Sequence, residues 1–128
     1  MTMTEAVSKV LSNYSNFSGR AARPEFWWWV LAFILLQIAT SITDSAILAP
    51  LLGLDPFAPG TGQPLSLLVS LALLVPYVAV SVRRLHDVGR SGWWFLLGVI
   101  PIIGPLVLLF WYVQPGTPGD NAFGAAPL

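Results

Sequence analysis

The chain has 128 residues with six Lys/Arg, six Asp/Glu, one His and no cysteine; charged residues make up 9% and apolar ones 55%. A charged fraction far below the usual ~25% cannot clothe a soluble globule of this size, and a mean hydropathy of +0.73 points to lipid as the solvent for the excess apolar surface. Zero formal net charge gives no case for nucleic-acid binding, and the lack of cysteine excludes disulfides, thiolate metal sites and a cysteine nucleophile.

Residues 4–15 carry Val7, Val10, Leu11 and Tyr14 at helical spacing, which predicts a short interfacial helix. A frayed tail is the alternative, because a helix this short is marginal alone. No basic segment precedes an apolar core there, so no cleavable signal peptide is expected and insertion rests on the spans. Gly19 turns the chain, and Arg23-Pro24-Glu25 starts a first span over 25–48, headed by Trp27-Trp28-Trp29. Gln37, Thr40, Ser41 and Asp44 share one face of it, the pattern of interhelical hydrogen bonding in a bundle.

Pro50 to Pro64 reads as a loop with Asp55 as its one charge. A second span follows over 64–88, bent at Pro76, with Ser66, Ser70, Tyr77 and Ser81 forming a stripe expected to face the first, and Gly89 as its stop. Ser91 caps a third span over 92–113. Pro101-Ile102-Ile103-Gly104-Pro105 interrupts it, giving either a broken helix or a re-entrant hairpin. Trp111 and Tyr112, read as a second interfacial belt, favour a broken but complete crossing. A Pro/Gly/Asn tail occupies 114–128. The expected fold is thus an all-α membrane protein forming a single domain: a bundle of three transmembrane helices, the third broken at Pro101–Pro105, with a short N-terminal interfacial helix.

In that layout Lys9, Arg20, Arg23, Arg83, Arg84 and Arg90 all fall on one side with Glu5, Glu25 and Asp87, while Asp44, Asp55 and Asp120 fall on the other with no cation. The positive-inside rule makes the first side, and the N-terminus, cytoplasmic.

The chemistry is densest in Arg83-Arg84-Leu85-His86-Asp87 and Ser91-Gly92-Trp93-Trp94. Either Arg83 or Arg84 is expected to pair with Asp87 along the helix, and Glu25 to meet Arg84 or Arg90 across the interface. His86 is read as a structural hydrogen bonder: Asp87 projects away from it on a helix, and Arg90 opposes its protonation. One histidine without cysteine makes a metal site improbable, and no nucleophile elbow, Walker loop or dinucleotide fingerprint is present. No cofactor is expected.

With Phe17-Ser18-Gly19-Arg20, Arg23, Glu25-Phe26-Trp27, the Arg-Arg-Leu-His-Asp block, Ser91-Gly92-Trp93-Trp94, Ile100 to Gly104 and Gly116 to Gly124 in view, the chain resembles the bacterial inner-membrane proteins of the YhaH type, domain of unknown function family 805. The resemblance runs from Tyr14 to Pro127, departing at Pro24 and at Ala125-Ala126. It implies a small multi-pass bacterial inner-membrane protein and no activity. The functional expectation is therefore a non-catalytic membrane protein, not an enzyme. It would bind anionic lipid or a membrane partner, a second copy included, through Arg20, Arg23, Arg83, Arg84, Arg90, Trp93 and Trp94, with Glu25 and Asp87 as structural ion-pair partners. The alternative is a subunit of an oligomeric small-solute or ion transporter or channel, hinged at Pro76 and at the Pro101–Pro105 break.

Overall fold

The structure, a computed structural model, describes residues 1–53 and 63–127. Asp55 and most of the expected Pro50–Pro64 loop lie outside the described residues. Among those described, the regular structure is entirely helical, apart from one isolated bridge between Asn121 and Gly124. The chain forms two compact units, Met1–Trp29 with Val75–Leu128, and Val30–Leu74. Among the described residues, two helices are long and apolar enough to cross a membrane.

Helix α1 spans Met3–Ser12, where the Thr2 side chain accepts from the Glu5 N–H and Lys9 sits in the last turn. Its buried line is Ala6 and Val10. Leu11 and Tyr14, expected on the same face, are exposed. Ala6 and Val10 thus face the protein, while Leu11 and Tyr14 stay on its surface.

Helix α2 spans Arg23–Thr43 and runs on through a π-helical turn, Asp44–Leu48, and a last α-turn, Ala49–Leu51. The chain thus stays helical past Pro50, where the loop was expected to begin. A proline ring clashes with the carbonyl four residues back. In the widened turn the Ala49 N–H reaches Asp44 O instead, and the bonding pattern adjusts just before the proline.

Within the Val30–Leu74 unit the expected polar stripes meet. Gln37 Nε2 donates to Ser70 Oγ at 2.6 Å, and Ser66 Oγ donates to Thr40 Oγ1 at 3.0 Å. Asp44 is buried and accepts from the Leu65 and Ser66 N–H groups at 2.9 and 2.8 Å. These donors belong to the first turn of helix α3, Pro64–Asp87, where no intrahelical acceptor exists, so the carboxylate both caps the helix and faces its positive end.

Helix α3 ends as expected at Gly89, whose φ is +80°. The Gly89 N–H reaches His86 O at 3.0 Å and the Arg90 N–H reaches Leu85 O at 2.9 Å, the paired bonds of a Schellman stop. Ser91 then accepts from the Trp93 N–H and starts a new helix, but Gly92–Val99 is 3-10 rather than α. After the break, α4 spans Ile103–Val113.

The two limbs do not run on in one direction. Trp94 and Trp111 stack edge to face, 5.6 Å between ring centroids. A Cβ on Gly98 would touch the Leu108 side chain, and one on Gly104 would overlap the Leu97 carbonyl. Contacts that pair 94 with 111, 98 with 108 and 97 with 104 define an antiparallel hairpin. Of the two forms expected for residues 92–113, a broken helix or a hairpin of two half-helices, the chain takes the hairpin. Reversal occurs at Ile102, with φ 68° and ψ −62°, where the Ile103 N–H donates to Pro101 O at 2.7 Å in a strained γ-turn. Gly104 lets the limbs close directly beneath it.

Candidate functional site

The last turn of α3 is the hub of the Met1–Trp29 and Val75–Leu128 unit, where Arg83, Arg84, His86 and Asp87 tie in the start of α2, the segment ahead of it, the end of α4 and the tail. Leu85 is fully buried. Arg83, also buried, donates from Nη1 to Glu25 Oε2 at 2.6 Å in the first turn of α2. Glu25 is fully buried, and its other oxygen lies 3.6 Å from Lys9 Nζ on α1. The Arg83 carbonyl accepts from the Ala21 N–H at 3.0 Å, binding the chain ahead of α2 to the same turn.

Arg84 is completely buried. Its Nε donates to Tyr112 O at 3.0 Å, and Nη1 donates to Ala21 O at 3.2 Å. Nη1 also pairs with Asp87 Oδ2, and Nη2 donates to Gln114 O. Tyr112 and Gln114 close the return limb of the hairpin, where helical carbonyls have no partner along the chain. Trp27 Nε1 donates to the same Tyr112 O at 3.2 Å, and Arg23 Nη1 to Val113 O at 3.4 Å. Cationic donors at a helix C-terminus also complement its dipole. Arg84 is thus a cap for α4 supplied from another helix.

Asp87 receives two guanidinium groups. Arg20 Nε donates to Oδ1 at 3.0 Å while Arg84 holds Oδ2. The remaining Arg20 donors go to the tail, to the carbonyls of Thr117, Gly119 and Gly124. The Asp87 carbonyl accepts from the Thr117 N–H at 2.7 Å. Gly116 lies directly against the carboxylate, with no room for a Cβ.

His86 Nδ1 lies 2.9 Å from Gly19 O, so that nitrogen carries the proton, as a carbonyl can only accept. The ring stacks on Phe123, centroids 4.3 Å apart and planes 2° from parallel, and the His86 carbonyl accepts from Asn121 Nδ2 at 2.9 Å. The histidine is a fastener for the Gly19 turn and the tail.

Of the residues expected to bind lipid or a partner, Arg20, Arg83 and Arg84 are buried and bonded internally. Arg23 and Arg90 are exposed; the Arg90 guanidinium lies 4.1 Å from the centre of the Trp111 ring. Trp93 is 80% exposed and Trp94 47%, so both indoles remain on the surface. The expected helix-internal pair is Arg84 with Asp87. The expected contact of Glu25 with Arg84 or Arg90 is corrected to Arg83 and Lys9. Arg84 points instead to the hairpin's end, and Arg90 lies beyond the Schellman stop on Trp111.

What residue reasoning missed was the tail. Its carbonyls complete the shells of Arg20 and Arg84, and a backbone carbonyl leaves no mark in a sequence. The one available signal was Gly116, the glycine that admits Asp87. No group of three or more His, Asp or Glu placed to hold a metal occurs among the described residues.

The family model described as "Protein of unknown function (DUF805)" matches residues 14–125, a stretch that takes in the last turn of α3 and most of the tail. The chain belongs to the DUF805 family. It is 41% identical over 119 residues to inner membrane protein YhaH of Escherichia coli K12, covering 93% of each chain. It is 40% identical over 119 residues to inner membrane protein YhaI of the same strain, covering 92% of this chain and 91% of that one. No solved structure matches it. With relatives so named and two apolar helices of spanning length, this member of DUF805 is a membrane protein.

Proposed function

We propose that the protein is a non-catalytic, multi-pass component of the inner membrane, its N-terminus cytoplasmic, which holds anionic lipid headgroups at its arginine-bearing face. α2 and α3 are the spans of this reading. Lys9 and Arg20 precede the first and Arg23 opens it, and Arg83, Arg84 and Arg90 lie at or beyond the end of the second, which supports the orientation by the positive-inside rule.

The observation that carries the lipid reading is the division of labour among the arginines. Three are enclosed, while Arg23 and Arg90 stay exposed, and Arg90 lies over the Trp111 ring, itself packed on Trp94, the pairing of planar cation and amphipathic ring that suits headgroup depth. Beside Arg23 lies a recess of about 290 Å³ bounded by Arg20, Pro24, Asp87, Thr117 and Pro118, in which the carboxylate is already neutralised by Arg20 and Arg84. For a transport path, the other class of function, support is thin: Gln37, Thr40, Asp44, Ser66 and Ser70 bond to one another rather than lining a route.

Native mass spectrometry of the purified protein tests the proposal. At about 1 kcal/mol for each basic residue at an anionic surface, Arg23→Ala with Arg90→Ala lowers retention of anionic over zwitterionic lipid by roughly 30-fold. Equal retention by the wild type and the double variant would overturn it.

A further inference from the structure

We infer that Gly92–Val113 is a re-entrant hairpin that enters the membrane from the arginine side, reaches about the bilayer midplane and returns, so that the acyl chains of that one leaflet are what its surface meets. The inference rests on the two-span reading above and adds to it the fate of the third apolar segment and of the tail.

Both ends of the hairpin sit at one level. Ser91 follows directly on the Schellman stop of α3, and the far end is tied back to the same turn by Arg84 at Tyr112 and Gln114. The limbs have matched reach. Eight residues of 3-10 helix at a rise of ~2.0 Å span roughly 16 Å, and eleven α-helical residues at ~1.5 Å span about as much, half of the ~30 Å hydrocarbon core.

Side chains are sorted along that reach. Trp93, Trp94, Trp111 and Tyr112 lie at the base, where aromatic rings favour the membrane interface, and Val99, Ile100, Ile102 and Ile103 form an aliphatic tip. Val99, Ile102 and Ile103 are 79%, 76% and 65% exposed, and no charged residue occurs between Arg90 and Asp120.

The tip's backbone also suits hydrocarbon, which offers no partner to a bare N–H. Pro101 and Pro105 have no such donor. The N–H groups of Ile100, Ile103, Gly104 and Leu106 are bonded to the carbonyls of Leu97, Pro101, Ile100 and Ile102. An aromatic base, an aliphatic tip at about half the depth of the hydrocarbon core and few free donors are together what a lipid leaflet demands of an exposed surface. The arrangement returns the tail, Asp120 included, to the side of the N-terminus.

Single cysteines in this Cys-free chain test it. Ser8→Cys, Gln63→Cys and Ala122→Cys are labelled with a membrane-impermeant maleimide in right-side-out and inverted vesicles, and Ile103→Cys carries a spin label for depth measurement. Ala122 labels from the same side as Ser8, Gln63 from the opposite side, and the label at Ile103 is reached by oxygen but not by a water-soluble relaxant. Labelling of Ala122 together with Gln63 would mean a complete crossing and overturn the inference while leaving the two spans intact. A water-accessible Ile103 would overturn it as well. Labelling of Gln63 on the Ser8 side would remove the two-span reading beneath it.

Discussion

Replacing Arg84 with alanine (Arg84→Ala) is expected to lower stability by about 3–5 kcal/mol, the usual effect of removing one partner from a buried ion pair. The side chain is completely enclosed and serves the carbonyls of Tyr112, Ala21 and Gln114 together with Asp87. Its loss leaves the end of the hairpin uncapped, and Asp87 dependent on Arg20 alone. Arg84→Lys keeps the charge but not the planar fork that reaches several directions at once, so it restores only part of the loss. Thermal unfolding in detergent or nanodiscs reads the effect, with Arg23→Ala, at an exposed site, as the mild control. An Arg84→Ala protein as stable as Arg23→Ala would contradict the hub.

The second large effect is expected at Gly116. A methyl group there collides with the Asp87 carboxylate, so in Gly116→Ala either the tail lifts or Asp87 turns away from Arg20 and Arg84. Overpacking at a tight site costs about 1–3 kcal/mol. The strain concentrates at the tail's attachment, so limited proteolysis between Gly116 and Gly124 accelerates by about tenfold or more if that free energy goes into opening the tail. Unchanged cleavage would show that the tail does not press on Asp87.

Both predictions depend on features that differ in how far they could be read from residues. That Asp87 pairs within its own helix follows from spacing, which left Arg83 and Arg84 both open, and the stop at Gly89 and the cap at Ser91 follow from residue type. The polar stripes of Gln37, Thr40 and Asp44 with Ser66 and Ser70 were legible because apolar helices confine their few hydrogen-bonding groups to one face. The partner of Glu25 was not, since adjacent arginines point about 100° apart and only the packing decides which faces α2.

The hairpin shows a different limit. Aromatic residues at both ends of 92–113 look the same in sequence whether the chain crosses or returns, because an interfacial belt exists on each side of a bilayer. The contacts of Trp94 with Trp111, Gly98 with Leu108 and Gly104 with Leu97 show that the two limbs fold back on each other.

The central claim is that Arg20, Arg83 and Arg84 with Glu25 and Asp87 are internal, a clasp that fastens the hairpin and the tail to the end of α3, rather than a set of free guanidinium groups. Hydrogen–deuterium exchange of the tail amides tests it most directly. In the wild type, the Thr117 N–H, held by the Asp87 carbonyl, and the Asn121 N–H, paired with Gly124, should exchange slowly, and both should lose protection in Arg20→Ala. Exchange of these amides in the wild type at the rate of a free peptide would contradict the account.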